Sequence, residues 1–153
     1  MKSRIYVDTS VIGGCEDDEF RVSSRDFFNA IKEGRAIAVI SGITLGELVD
    51  APKKVREVLD DIGDENMEFV ELTDEARGLA ELYIEAGVVG EKMRVDAQHI
   101  AVATINRVDV LISWNFKHVV NLNRIRGYNS VNLKNGYPVL EIRKPDEVLE
   151  YDD

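Results

Sequence analysis

The chain has 153 residues, the size of one domain with a buried core, and 44% hydrophobic with 31% charged content excludes an intrinsically disordered chain. No apolar run approaches the ~20 residues of a membrane-spanning helix, MKSRIYVDTS lacks the apolar stretch of a signal peptide, and Cys15 stands alone, without an internal disulfide or a thiolate zinc site. The net charge of −10, from 19 Lys and Arg against 29 Asp and Glu, disfavours broad capture of a polyanion, which needs a basic stripe.

Residues 4–8 (RIYVD) form a short apolar run ending in an acid, a buried-strand pattern. Ser23 and Ser24 precede a helical pattern carrying Phe27, Phe28 and Ile31, which Gly34 stops. Residues 36–40 (AIAVI) read as a second buried strand. Residues 43–49 and 55–62 follow with helical spacing, separated by Pro52. Residues 67–72 read as a strand, and Thr73 opens a helix with two acids in its first turn that runs to Gly87. Residues 95–105 (VDAQHIAVATI) form an alanine-rich helix, apolar on more than one side, and so well buried. Residues 109–113 (DVLIS) and 138–142 (PVLEI) are the last two strands, and the acidic stretch 146–153 is expected to be a frayed helix or tail. Apolar strands alternating with helices predict an α/β fold, a single domain over residues 1–145 whose parallel sheet is covered on both faces.

Ligands of an open parallel sheet bind outside the carboxyl ends of its strands. Asp8 falls at such an end, although an Asp there also serves as a turn former. Glu47 follows the second strand, where Thr44-x-x-Glu47 also reads as a capping box. Asp96 lies in the first turn of the alanine-rich helix, where it complements the helix dipole. A carboxylate beside so apolar a face is costly unless a cation or strong partners compensate. Asn115 follows the fourth strand, where taken alone it reads as a surface-turn residue. In a parallel sheet these three acids and one amide converge on one edge. Oxygen ligands without clustered His or Cys suit Mg²⁺ or Mn²⁺, which serve phosphoryl chemistry.

YVDTSV, GELV, VDAQHIAVA and DVLISWNFKHV, in that order, resemble the motifs of the PIN-domain family over residues 4–142, the last two being the more specific. PIN domains are metal-dependent nucleases, and many small ones are the toxins of VapBC-type toxin–antitoxin pairs. The resemblance implies that Asp8, Glu47 and Asp96 are acidic metal ligands, that Thr9 or Ser10 is a supporting hydroxyl, and that Asn115 occupies a site position often held by an acid. It further implies an endoribonuclease using Mg²⁺ or Mn²⁺ on an RNA substrate, an antitoxin partner with a basic segment, and a homodimer. The alternative is a non-catalytic PIN-like module that binds RNA or protein, its metal site impaired by Asn115.

Other classes fit less well. A receiver-type phosphoacceptor domain wants a lysine at the end of a late strand, and a haloacid-dehalogenase-type phosphatase wants DxDxT where this chain has VDTSV. His99 is expected to be a neutral packed or hydrogen-bonded side chain, His118 a surface residue, and Trp114 a packing residue rather than a base-stacking one. The acids of CEDDE are expected to raise the pKa of Cys15. Residues 117–126, with Lys117, His118, Arg124 and Arg126 and no acid, form either a basic rim for RNA or a solvated helix face. A cytoplasmic location is expected, with no membrane segment.

Overall fold

The structure, a computed structural model, describes residues 2–149. In chain order the elements are β1 (Ser3–Val7), α1 (Thr9–Gly14), α2 (Arg21–Lys32), β2 (Ala36–Ser41), α3 (Gly42–Leu48), α4 (Lys53–Asp60), β3 (Met67–Val70), α5 (Asp74–Glu85), α6 (Arg94–Ile105), β4 (Val110–Ile112), α7 (Leu122–Lys134), β5 (Ile142–Arg143) and α8 (Pro145–Leu149). All strands run parallel in the order β3-β2-β1-β4-β5, so the carboxyl ends of β1, β2 and β4 lie side by side.

Alternation along each strand divides the core between the two faces of the sheet. Tyr6, Val39, Leu111 and Ile142 point to the face covered by α5, α6 and α7. Ile5, Val7, Ala38, Ile40 and Ile112 point to the face covered by α1, α2 and α4. Burial on both faces is why these strands read as continuous apolar runs. In α6, Ala97, Ala101 and Ala103 are fully buried, and their small side chains let the helix sit close among its neighbours. Thr73 caps α5 as its sequence suggests, its hydroxyl accepting from the Ala76 N–H at 3.2 Å, and Gly87 follows at φ +76°. Among the described residues no helix is long and apolar enough to cross a membrane.

Four elements depart from expectation. Helix α2 starts at Arg21, ahead of Ser23 and Ser24, because the buried Ser24 hydroxyl is taken by the Trp114 indole N–H at 2.8 Å rather than used as a cap. Helix α7 takes up only the second half of the region read as a rim or helix face and continues beyond it to Lys134; the Asn121 side chain starts it by accepting from the Arg124 N–H at 2.9 Å. Strand β5 is confined to Ile142 and Arg143. Ahead of it, the Leu140 backbone is captured by Asn129 of α7, N–H to Oδ1 at 2.7 Å and Nδ2 to C=O at 3.1 Å. Finally, α8 begins with Pro145 at its first position and packs against α2, with Val148 reaching the core on that face. Residues 150–153 of the expected acidic tail lie outside the described residues.

Candidate metal centre

Asp8 leaves β1 in extended conformation and its backbone N–H bonds the Ile112 carbonyl of β4, which fixes it beside Ser113. Its buried carboxylate accepts from Ser113 Oγ at 2.5 Å and from Ser10 Oγ at 3.2 Å, and it makes no backbone cap. The turn-former reading of Asp8 therefore does not hold. Ser10 also accepts from the Trp114 N–H at 2.9 Å, so one hydroxyl ties β1 and β4 together at the site.

Glu47 sits on α3, directly after β2. The capping box is not formed: Ser41 stands at the helix N-cap, Thr44 is fully buried, and the Glu47 carboxylate turns to other elements. Its Oε1 accepts from Thr9 Oγ1 at 2.6 Å and pairs with His99 Nε2 at 2.8 Å. The hydrogen bond from His99 holds the Glu47 carboxyl below its ordinary range, against partial burial.

Asp96 and His99 lie on one face of α6, near the carboxyl edge. Burial first, and then the charge of Asp8, push the Asp96 carboxyl above its ordinary range, with His99 and His118 opposing. Asn115 joins the cluster by donating from Nδ2 to Asp96 Oδ2 at 3.2 Å. Its Oδ1 accepts from the backbone N–H groups of Lys117 and His118 at 3.2 and 3.0 Å, so the amide oxygen faces its own turn and the amide nitrogen faces the acid. All four expected positions, with Thr9 and Ser10, thus belong to one connected cluster at the carboxyl edge.

His99 is packed and hydrogen-bonded, as expected. It is 2% exposed, its Nε2 lies 2.8 Å from Glu47 and 3.8 Å from Asp8, and its Nδ1 is 2.6 Å from Tyr6 Oη. Burial opposes its protonation, but the bond to Glu47 and the charges of Asp8, Glu47 and Asp96 outweigh burial and raise its pKa. Ser113, Tyr6 and Ser41 also belong to the cluster, unanticipated. The signal for Ser113 was its place: Val7 pairs with Ile112, so Asp8 and Ser113 leave adjacent strands together.

Other expectations resolve plainly. Trp114 packs in the core, stacked on Phe20 with ring centroids 4.4 Å apart. His118 is half-buried rather than superficial, its carbonyl accepting from Tyr128 Oη at 2.8 Å. Cys15 is buried, and burial more than any neighbouring acid pushes its thiol up to about 11. Within the proposed rim, Arg124 is pinned to the Val88 carbonyl, whereas Lys117 and Arg126 are exposed.

The donor set suits a hard divalent cation: three carboxylates from separate elements, with hydroxyls beside them. As the side chains stand, no three His, Cys, Asp or Glu among the described residues form a closed ligand set. Mg²⁺ does not require one, since it keeps several waters and takes one or two carboxylates.

No protein-family model matches the chain, and no curated protein matches it. Among solved structures, it is similar to a chain in the crystal structure of VapBC2 from Rickettsia felis bound to a DNA fragment from their promoter, with 16% identity, 92% of this chain and 98% of that chain covered, and a TM-score of 0.56. It is also similar to a chain in the structure of DNA-bound VapBC from Salmonella typhimurium, with 17% identity, coverage of 95% and 99%, and a TM-score of 0.50. At such identities the likeness is one of fold, an α/β domain with a five-stranded parallel sheet flanked by helices.

Proposed function

We propose that this protein is a Mg²⁺- or Mn²⁺-dependent endoribonuclease, the toxin of a toxin–antitoxin pair, with Asp8, Glu47 and Asp96 as its acidic ligands. The observation that carries this reading is the meeting of three carboxylates from β1, α3 and α6 at the carboxyl edge of a PIN-like sheet, none ion-paired with Lys or Arg among the described residues. When bound, a divalent cation supplies Lewis-acid activation of water and charge stabilisation for phosphodiester hydrolysis.

The chain's own groups prepare the site. Ser10 and Ser113 hold the Asp8 carboxylate, and Thr9 and His99 hold one oxygen of Glu47. Asn115 keeps Asp96 turned to the cluster by donating to it, acting as a hydrogen-bond partner rather than an oxygen ligand. The exposed Lys117 and Arg126 supply local positive charge for RNA on a chain of net charge −10. The same acidity suits an antitoxin with a basic segment, whose arginine would fork onto the carboxylates and compete with the cation. Mn²⁺ should then weaken partner binding, and the partner should weaken Mn²⁺ binding to the same degree.

The test is incubation of single-stranded RNA with the wild type and Asp8→Asn, in Mn²⁺ and in EDTA. Cleavage by the wild type in Mn²⁺ alone is the expected result. Cleavage that persists in EDTA, or that Asp8→Asn retains in full, would overturn the proposal.

A further inference from the structure

Glu47 and Asp8 are held in different ways. Asp8 is buried and gripped by two serines, whereas the Glu47 side chain is 40% exposed at the end of a seven-residue helix. An exposed glutamate on so short a helix has several rotamers open to it, most of them leading into solvent. Both of its donors nevertheless fall on the same oxygen, Oε1, leaving Oε2 without either of them.

One of those donors ends a buried chain. Ser41 Oγ, the last residue of β2, lies 2.7 Å from Tyr6 Oη, which lies 2.6 Å from His99 Nδ1, and His99 Nε2 reaches Glu47 Oε1 at 2.8 Å. Ser41 and Tyr6 are fully buried and His99 nearly so, with the buried Thr44 hydroxyl beside Tyr6 and Tyr6 itself part of the hydrophobic core on that face of the sheet. Three polar side chains in an apolar layer are costly unless each is satisfied, and here each satisfies the next. The Tyr6 ring also meets the imidazole edge-on, with centroids 5.6 Å apart and planes at 72°, so the ring orientation is fixed twice.

We infer that Ser41, Tyr6 and His99 form a positioning chain that aims Glu47, presenting Oε2 to the cation or to its water. This rests on the proposed metal-dependent reading and assigns these three residues a part in it. The chain works in either protonation state of the imidazole. With neutral His99, Tyr6 donates to Nδ1 and Ser41 donates to Tyr6. With imidazolium, Nδ1 donates to Tyr6 and Tyr6 donates to Ser41. Nε2 donates to Glu47 in both, because the two hydroxyls can reverse together. Loss of an outer-shell partner of this kind typically costs about 10–100-fold in metal affinity or activity.

The experiment is Mn²⁺ titration calorimetry on the full chain as wild type, Tyr6→Phe, His99→Leu and His99→Gln, with kcat and KM for RNA measured in parallel. Tyr6→Phe keeps the ring and its packing, and it decides the matter should His99→Leu fail to fold. Tyr6→Phe and His99→Leu should weaken Mn²⁺ binding by about tenfold, at the lower end of the outer-shell range. They should lower kcat with KM for RNA little changed. His99→Gln, whose amide can still donate to Glu47, should recover much of the loss. In metal-free protein, the His99 imidazole proton bonded to Glu47 should give a slowly exchanging NMR resonance that Tyr6→Phe shifts. Mn²⁺ affinity in folded Tyr6→Phe within about twofold of wild type would overturn the positioning chain and leave the metal site standing. A wild type that binds no Mn²⁺ would overturn both.

Discussion

At the amino edge of the sheet, acids are matched with arginine. Arg4 bonds Glu68 through Nε at 3.2 Å and the Asn106 carbonyl through Nη1 at 2.9 Å, its backbone N–H donates to Asp109 at 2.7 Å, and Arg35 pairs with Glu33 at 2.9 Å. At the carboxyl edge, Asp8, Glu47 and Asp96 belong to one network with hydroxyls, an amide and a histidine, and among the described residues none pairs with Lys or Arg. One sheet therefore carries acids that are neutralised locally and acids that are not. Burial, and after it the charge of Asp8, raises the pKa of Asp96, a cost that a bound cation would relieve.

The widest gap between the edges should open on loss of a clustered acid. Asp96→Asn should reduce Mn²⁺-dependent RNA cleavage by more than the roughly 10–100-fold typical of an outer-shell change, read from initial rates. Its effect on metal-free stability should depend on pH in a definite direction. Because the folded pKa of Asp96 is raised, its stabilising contribution is full below the unfolded pKa and is lost as pH rises through the folded pKa. Denaturant melts without metal should therefore show wild type losing ground to Asp96→Asn as pH rises through the carboxylate range. A mutant that instead loses ground over that range would mark Asp96 as a structural acid.

A smaller effect is expected at Asn115. Asn115→Asp keeps the acceptor for the Lys117 and His118 N–H groups but sets a second carboxylate against Asp96 where a donor now stands. Metal-free melting should drop by roughly 2–4 °C, corresponding to about 1 kcal/mol in a chain of this size, and Mn²⁺ should return more than that. An unchanged metal response would place position 115 outside the influence of the cation.

The least change in function should come from the amino edge. Arg4→Ala removes the partner of Glu68 and a carbonyl bond, and with a side chain 32% exposed it should cost only about 1 kcal/mol in urea titration. RNA cleavage should be unaltered once the protein is folded. A loss of cleavage comparable to that of Asp96→Asn would erase the distinction between the edges.

How much of this the sequence discloses follows the range of the interactions. Strands such as the one holding Tyr6 and Val7 are buried on both faces, so they appear as apolar runs, and the acid that ends such a run is conspicuous. Asp8 could be placed at the carboxyl edge on that basis, Glu47 and Asn115 because they follow strands, and Asp96 because an acid in the first turn of so apolar a helix calls for a partner. Contacts made across the sheet leave no local trace. Tyr6 and His99 are 93 residues apart, and Asp8 and Ser113 are 105. Thr44-x-x-Glu47 misleads for the same reason, since Thr9 and His99 outcompete the local backbone for the glutamate. Helix α7 escapes notice because only Tyr128, Val131 and Asn132 of its thirteen residues are buried, too sparse an apolar face to stand out.

Whether the unmatched carboxylates at the carboxyl edge form a divalent-cation site can be read from Mn²⁺ titration calorimetry on wild type, Asp96→Asn and Arg4→Ala. Wild type and Arg4→Ala should bind Mn²⁺ saturably with similar affinity, and Asp96→Asn should not bind it. Binding that survives in Asp96→Asn, or no binding in the wild type, would contradict such a site.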